Sequence, residues 1–179
     1  MNNQKPDMIN LMVDLLDEAI MNCYYGMIDE DDLKEMKRRA QQNQGNVWHG
    51  FISFNEEESR KIDSPEKCIR LVRNLFPTFF QESHLNPKNI DLMCALHLDR
   101  PHHLHIHFVF WEKEPTKKSK DGTLKYRSKG KISETAIDNM FVRLGIFADD
   151  NKKYLILLLP ALSIIFSCMV GPVNTYYRY

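Results

Sequence analysis

Residues 90–111, IDLMCALHLDRPHHLHIHFVFW, decide how this chain folds. In the run Ile90–Leu98, the residues Ile90, Leu92, Cys94, Leu96 and Leu98 fall on one face, and Asp91, Met93, Ala95 and His97 on the other. Successive side chains of a strand point to opposite sides, so this alternation predicts a half-buried strand. In His103–Trp111 it recurs, with Leu104, Ile106, Phe108 and Phe110 on one side and His103, His105, His107, Val109 and Trp111 on the other. Asp99-Arg100-Pro101-His102 reads as a tight turn, so the two strands pair antiparallel. Their apolar faces then coincide and pack under helices. Their histidine faces coincide too and look away from those helices.

Working outward, Val47–Phe54 (VWHGFISF) is a third strand, rich in aromatic and β-branched residues, with His49 read as structural. Ser64-Pro65-Glu66 is a helix start, with a capping serine, proline in the first turn and an acid after it. That helix buries Ile69, Val72, Leu75, Phe76, Phe79 and Phe80, and Pro77 is expected to kink or divide it. Residues 55–63 read as a polar loop. A last helix starts at Ser133 and ends near Gly145. Upstream, apolar spacing predicts a helix over 7–20, and a second, highly charged surface helix from about 30 to 43 with Asp29 as its cap. The order α-α-β-α-β-β-α implies an α+β fold, an antiparallel sheet with helices on one face.

The composition, 43% hydrophobic and 27% charged over 179 residues, is that of one globular domain. It excludes wholesale disorder, collagen-like repeats and a polytopic membrane protein. Net charge is zero, but residues 1–63 carry −6 and residues 64–179 carry +6, so a polyanion partner meets the second part. Cys23, Cys68, Cys94 and Cys168 form no CxxC pair, which argues against a zinc ribbon or a disulfide scaffold. No signal peptide is expected, since polar residues open the chain. Residues 155–171 (LILLLPALSIIFSCMVG) carry no charge. Three readings of that tail stay open: a C-terminal helix, a membrane tail anchor, which is not favoured, and an extension from a coding sequence that lost its frame.

Five of the seven histidines fall between 97 and 107. His105 and His107 share a face at i and i+2, with Cβ atoms roughly 7 Å apart. His97 faces the same side from the neighbouring strand, with His103 its rival as a third ligand. Three neutral imidazoles with open positions suit a catalytic Mg²⁺ or Mn²⁺, with Zn²⁺ the alternative. Behind them, residues 113–131 form a basic loop. Lys117, Lys118, Lys120, Lys125, Arg127, Lys129 and Lys131 could neutralise phosphates there, and Trp111 could stack a base.

His97-Leu98-Asp99, then His105-Ile106-His107, then FVFWEKEP (108–115) resemble the three-histidine motif of conjugative relaxases, closest to the MobA/MobL-type mobilisation relaxases. VWHGFISF resembles the Trp…Ile-Ser-Phe segment of that family. The likeness covers about residues 45–145, and the spacing from His97 to His105 is slightly longer than the family's usual one. The resemblance implies an HUH endonuclease palm, a ferredoxin-like antiparallel sheet with helices on one face and the metal site on the other. It implies that His97, His105 and His107 hold one divalent cation. A tyrosine then attacks single-stranded DNA at a transfer origin and leaves a phosphotyrosine. That tyrosine is expected near the N-terminus, on or after a first strand. Tyr25 and Tyr24 are the only tyrosines ahead of the motif, and no convincing first strand precedes them. Tyr126, in a Tyr-x-x-Lys sequence, is a weaker alternative.

The organisation expected is an N-terminal helical segment (1–44), a relaxase-like domain (45–150) and an apolar tail (151–179). The expected role is DNA nicking and strand transfer in mobilisation, in the bacterial cytoplasm, alongside relaxosome accessory proteins. The competing reading is a catalytically incomplete DNA-binding remnant or accessory protein of the same family. A third class is an unrelated metal-dependent hydrolase, though not a two-histidine phosphodiesterase, which needs two separated His-x-Thr motifs that this sequence does not carry.

Overall fold

The computed structural model describes the backbone of residues 20–22, 26–62, 64–100, 103–148, 163–170 and 173–178, and the side chains of 28–62, 64–96 and 104–145. The alternating runs form β4 (Ile90–Arg100) and β5 (His103–Glu112), paired antiparallel from Ile90↔Glu112 to His97↔His105, with a register shift between His97 and Arg100. β3 (Val47–Ser53) lies on the other side of β5, from Val47↔Trp111 to Ser53↔His105. β1 (Ile20–Asn22) and β2 (Gly26–Met27) form a short hairpin beside β4. A first strand therefore exists, contrary to expectation. Ile20, expected to end a helix, is in it, while residues 7–19 of that helix lie outside the described residues.

The tail supplies β8 (Ser163–Val170) and β9 (Val173–Arg178), the former antiparallel to β3 along its whole length. This corrects the helical reading for residues 163–170. Without β8, β3 would expose a full row of unpaired backbone groups, and the β-branched and aromatic run 164–166 suits that edge. The seven-stranded sheet has the order β2-β1-β4-β5-β3-β8-β9. No helix among the described residues is long and apolar enough to cross a membrane.

Two helices cover the apolar face: α3 (Pro65–Glu82) and α4 (Glu134–Ala148), introduced in chain order after α1 (Glu30–Gln42) and α2 (Glu56–Lys61). Ser64 caps α3 as the sequence predicted. Leu71, Val72, Leu75 and Phe76 precede Pro77, Phe79 and Phe80 follow it, and all are buried with Leu92, Cys94, Ile106, Phe108 and Phe110 of the sheet. α3 runs through Pro77 undivided. Proline in a helix costs about 3 kcal/mol, and each apolar side chain sealed on the sheet returns roughly 1.5–3 kcal/mol. α2 replaces the expected loop. Its signal was the capping box Asn55-x-x-Glu58, whose side chains and backbone amides bond reciprocally.

Arg143 of α4 clasps Glu82 of α3 through two hydrogen bonds, 2.9 and 2.6 Å. The Arg143 hydrogen bond holds the Glu82 carboxyl below its ordinary pKa, against an opposing effect of burial. A depressed carboxylate pKa stabilises the fold above the unfolded-state pKa and ceases to do so as pH falls through the folded one. Glu82→Gln should therefore lower stability by about 0.5–1 kcal/mol at neutral pH. In denaturant titrations its gap from the parent should close in acid.

α1 is the charged surface helix expected, with most of its residues exposed, but where it lies corrects the expectation of helices on one face alone. Asp29 caps it, accepting from the Asp32 amide at 2.8 Å. Its stripe of Leu33, Met36 and Ala40 packs on Val47, Met93, Val109 and Trp111, which belong to the histidine side of the sheet. Arg39 meets the buried Asp91 carboxylate at 3.3 Å. Burial pushes the Asp91 pKa up, and the Arg39 and Lys113 charges pull against it.

Candidate metal and DNA site

Pairing divides the second face of the sheet into rows. One holds His97, His105 and Ser53; the next Ala95, His107 and Phe51; the next Met93, Val109 and His49; the last Asp91, Trp111 and Val47. α1 covers the last two rows through Met93, Val109, Trp111 and Val47. The histidine rows lie at the other end, where His105 and His107 are half-buried. The register sets His97 directly opposite His105 on β4. The side chain of His97, and those of His102 and His103, lie outside the described residues. Among the described residues no group of three His, Cys, Asp or Glu side chains is gathered for a metal.

His107 has aromatic neighbours on β3. The His49 ring stacks on it at 5.9 Å between centroids and 17° between planes, and the Phe51 ring lies at 5.6 Å and 31°. Burial lowers the pKa of His49, which favours the neutral ring. Sequence reasoning passed over this pair. The available signal was the alternation of Val47, His49, Phe51 and Ser53 along VWHGFISF.

Several expected DNA contacts are placed differently. Trp111 is 1% exposed beneath α1, so its ring is closed to a base; this corrects the stacking role. Residues 117–125 form a small ribbon, β6 (Lys117–Lys118) paired with β7 (Leu124–Lys125). Asp121 organises its turn, accepting from the Thr123 amide at 3.0 Å and from the hydroxyls of Ser119 and Thr123. These hydrogen bonds hold its carboxyl at a pKa of about 2. Gly122 adopts φ +84, a conformation that favours glycine.

Lys117, Lys118, Lys120, Lys125 and Lys129 are exposed. Lys131 pairs with Glu134 at 2.9 Å. Arg127 is a correction. Its guanidinium donates to the Ser83 carbonyl at 3.1 Å, its amide donates to Glu112, and its carbonyl accepts from Asn46, so it fastens the loop to the domain.

Tyr126 also fastens the loop. Its hydroxyl donates to the Lys113 carbonyl at 3.1 Å, and its ring lies so close to Gly45 that a Cβ there would meet it at 2.7 Å. Burial raises its pKa, with Glu114 and Glu112 adding to the effect, the opposite of an activated nucleophile. The ribbon and Tyr126 leave the sheet after Glu112, seven positions from His105 on β5, which is roughly 24 Å along a strand. Tyr24 and Tyr25 lie outside the described residues.

A family model described as MobL relaxases matches residues 25–145. The chain belongs to the MobL relaxases. No curated protein and no solved structure shows a significant match to it. Membership assigns it to the relaxases of DNA mobilisation, built on the α+β sheet described above. The matched residues take in the hairpin β4–β5, β3 and its aromatic pair, α1 and the basic ribbon.

Proposed function

We propose that this MobL relaxase nicks single-stranded DNA at a transfer origin through a divalent-cation site on His97, His105 and His107. The observation that carries the reading is the placement of His105 and His107, both half-buried, on one face of β5 beyond the rows that α1 covers, with the register position of His97 directly opposite His105. The donor set fits a hard or borderline divalent cation, Mg²⁺ or Mn²⁺ with Zn²⁺ the alternative. When bound, such an ion supplies Lewis acidity that offsets charge developing on a phosphate oxygen.

The remaining chemistry belongs to the chain and the DNA. A tyrosine hydroxyl, Tyr25 or Tyr24, loses its proton and attacks phosphorus. The bond from phosphorus to the 3′ oxygen breaks. That oxygen leaves as a 3′-OH after taking up a proton, and the 5′ phosphate stays on the tyrosine. One phosphodiester is exchanged for another, so the bond energy is kept for strand closure.

A specific observation favours a second reading, a DNA-binding member without a competent tyrosine. β1 runs from the level of Ala95 towards that of Met93, so the chain leaves Asn22 roughly 13 Å along the sheet from the level of His97. The test is incubation with labelled single-stranded DNA and Mn²⁺, followed by a denaturing gel and peptide mass spectrometry. A chelator-sensitive covalent adduct on Tyr24 or Tyr25 supports the first reading. Stoichiometric Mn²⁺ binding with no adduct supports the second. Absence of both adduct and metal binding overturns the site.

The exposed lysines of the ribbon make it the arm for backbone phosphates. Replacing Lys117, Lys118 and Lys125 by Gln should flatten the slope of log affinity against log salt by roughly 2–3, about one for each phosphate no longer neutralised. Fluorescence anisotropy across a salt series measures this. An unchanged slope would place the DNA elsewhere. The work expected of the protein is in the bacterial cytoplasm, with relaxosome accessory proteins as further partners.

A further inference from the structure

We infer that His49 and Phe51 of β3 are positioning residues that clamp the His107 ring in the plane it needs to bind a cation. The inference rests on the metal reading above and adds two residues to it.

Phe51 stands directly across the strand pair from His107, and His49 stands diagonally to it, at the next position on the same face. Diagonal neighbours in a sheet are within reach of aromatic side chains. Both rings use that reach. The His49 ring is nearly parallel to His107, at 5.9 Å and 17°, and the Phe51 ring is tilted against it, at 5.6 Å and 31°. These separations lie within the span of favourable aromatic pairs.

A histidine ring turns about a broad, nearly two-fold torsion, so an unsupported imidazole samples many planes. A cation needs the lone pair of one nitrogen aimed at one point. One near-parallel and one tilted ring contact from the same strand restrict the ring before any ion arrives, which reduces the ordering cost of binding. The two histidines differ in this respect. His105 faces Ser53 across the pair and makes no ring contact among the described residues. The clamp therefore makes His107 the pre-set ligand and leaves His105 to adjust. The residue between the clamp members is Gly50, which adds no side chain to the apolar face below.

His49 has two conceivable roles at this distance, flat support for His107 or a ligand in its own right. The nitrogen lone pairs of two near-parallel stacked rings lie in separate, near-parallel planes that do not converge on one ion, which favours support. A ring without nitrogens should then replace it.

The test uses the full chain and Mn²⁺ alone, titrated by electron paramagnetic resonance of the free ion. The set is the parent, His49→Ala, His49→Phe and Phe51→Leu. Thermal unfolding confirms that each variant folds. His49→Ala should weaken Mn²⁺ binding by about 3–10-fold, the fold-change that one aromatic ring contact is worth and less than the roughly 10–100-fold for a partner hydrogen-bonded to a ligand. His49→Phe should restore affinity to within about twofold of the parent, and Phe51→Leu should fall between.

Proton NMR of the metal-free protein supplies a second readout. The His107 ring resonances should move in His49→Ala, through loss of the neighbouring ring current, and largely return in His49→Phe. Parent-like Mn²⁺ affinity and His107 shifts in His49→Ala would overturn the clamp. Equal losses of affinity in His49→Phe and His49→Ala would overturn it in favour of direct ligation. A parent that binds no Mn²⁺ would overturn the metal reading, whereas an alanine variant that binds normally overturns the clamp alone.

Discussion

Replacing His105 by alanine should reduce Mn²⁺-dependent adduct formation on single-stranded DNA by at least about 100-fold, since it removes a ligand outright where loss of a residue that merely orients one costs 10–100-fold. The fold should survive. His105 is half-buried on the histidine side of the sheet, and neighbouring Ile106 and Leu104 carry the packing on the other side. No hydrogen bond or ion pair among the described residues depends on it. The thermal midpoint should stay close to the parent's while activity collapses. Adduct formation at the parent rate would remove His105 from the site.

Phe110→Ala should have the opposite profile, with a cost of about 3–5 kcal/mol in unfolding free energy. Phe110 is fully buried and stands at the meeting point of sheet and helix. Its ring stacks on Trp48 at 5.0 Å, meets Phe80 at 5.0 Å and Phe79 edge-on at 6.2 Å. Truncation removes this ring packing and leaves a cavity that three large rings cannot close by small shifts. Domains of this size are stable by only about 5–15 kcal/mol, so the variant should unfold at markedly lower denaturant concentration. A loss below about 1 kcal/mol would show that α3 can settle onto the sheet without it.

These two residues, five positions apart on β5, show why one strand supports both fold and chemistry. The period of two sends Phe110 into the core and His105 to the opposite side. That division was legible in the alternation of residues 103–111 alone, as were the caps at Asp29 and Ser64, where a single side chain satisfies a nearby amide. Residues 163–170 were misread because an uncharged apolar run suits a helix or a strand equally. Its pairing with β3 supplied the backbone partners that chose between them. The short strand at Ile20–Asn22 offered too few residues to show a period.

The sequence by itself determined the β-hairpin, the face that carries His97, His105 and His107, the helices that cover the other face and the basic character of residues 113–131. Each follows from spacing or composition within a few neighbouring residues. Only the tertiary structure decided that α1 seals Trp111, that Arg127 and Tyr126 fasten the loop, that the loop bearing the lysine ribbon leaves the sheet after Glu112, at the end of β5 away from His105, and that the rings of His49 and Phe51 lie against His107. Those outcomes depend on which strands become neighbours and in what register. They join residues tens of positions apart, over distances at which local periodicity carries no information.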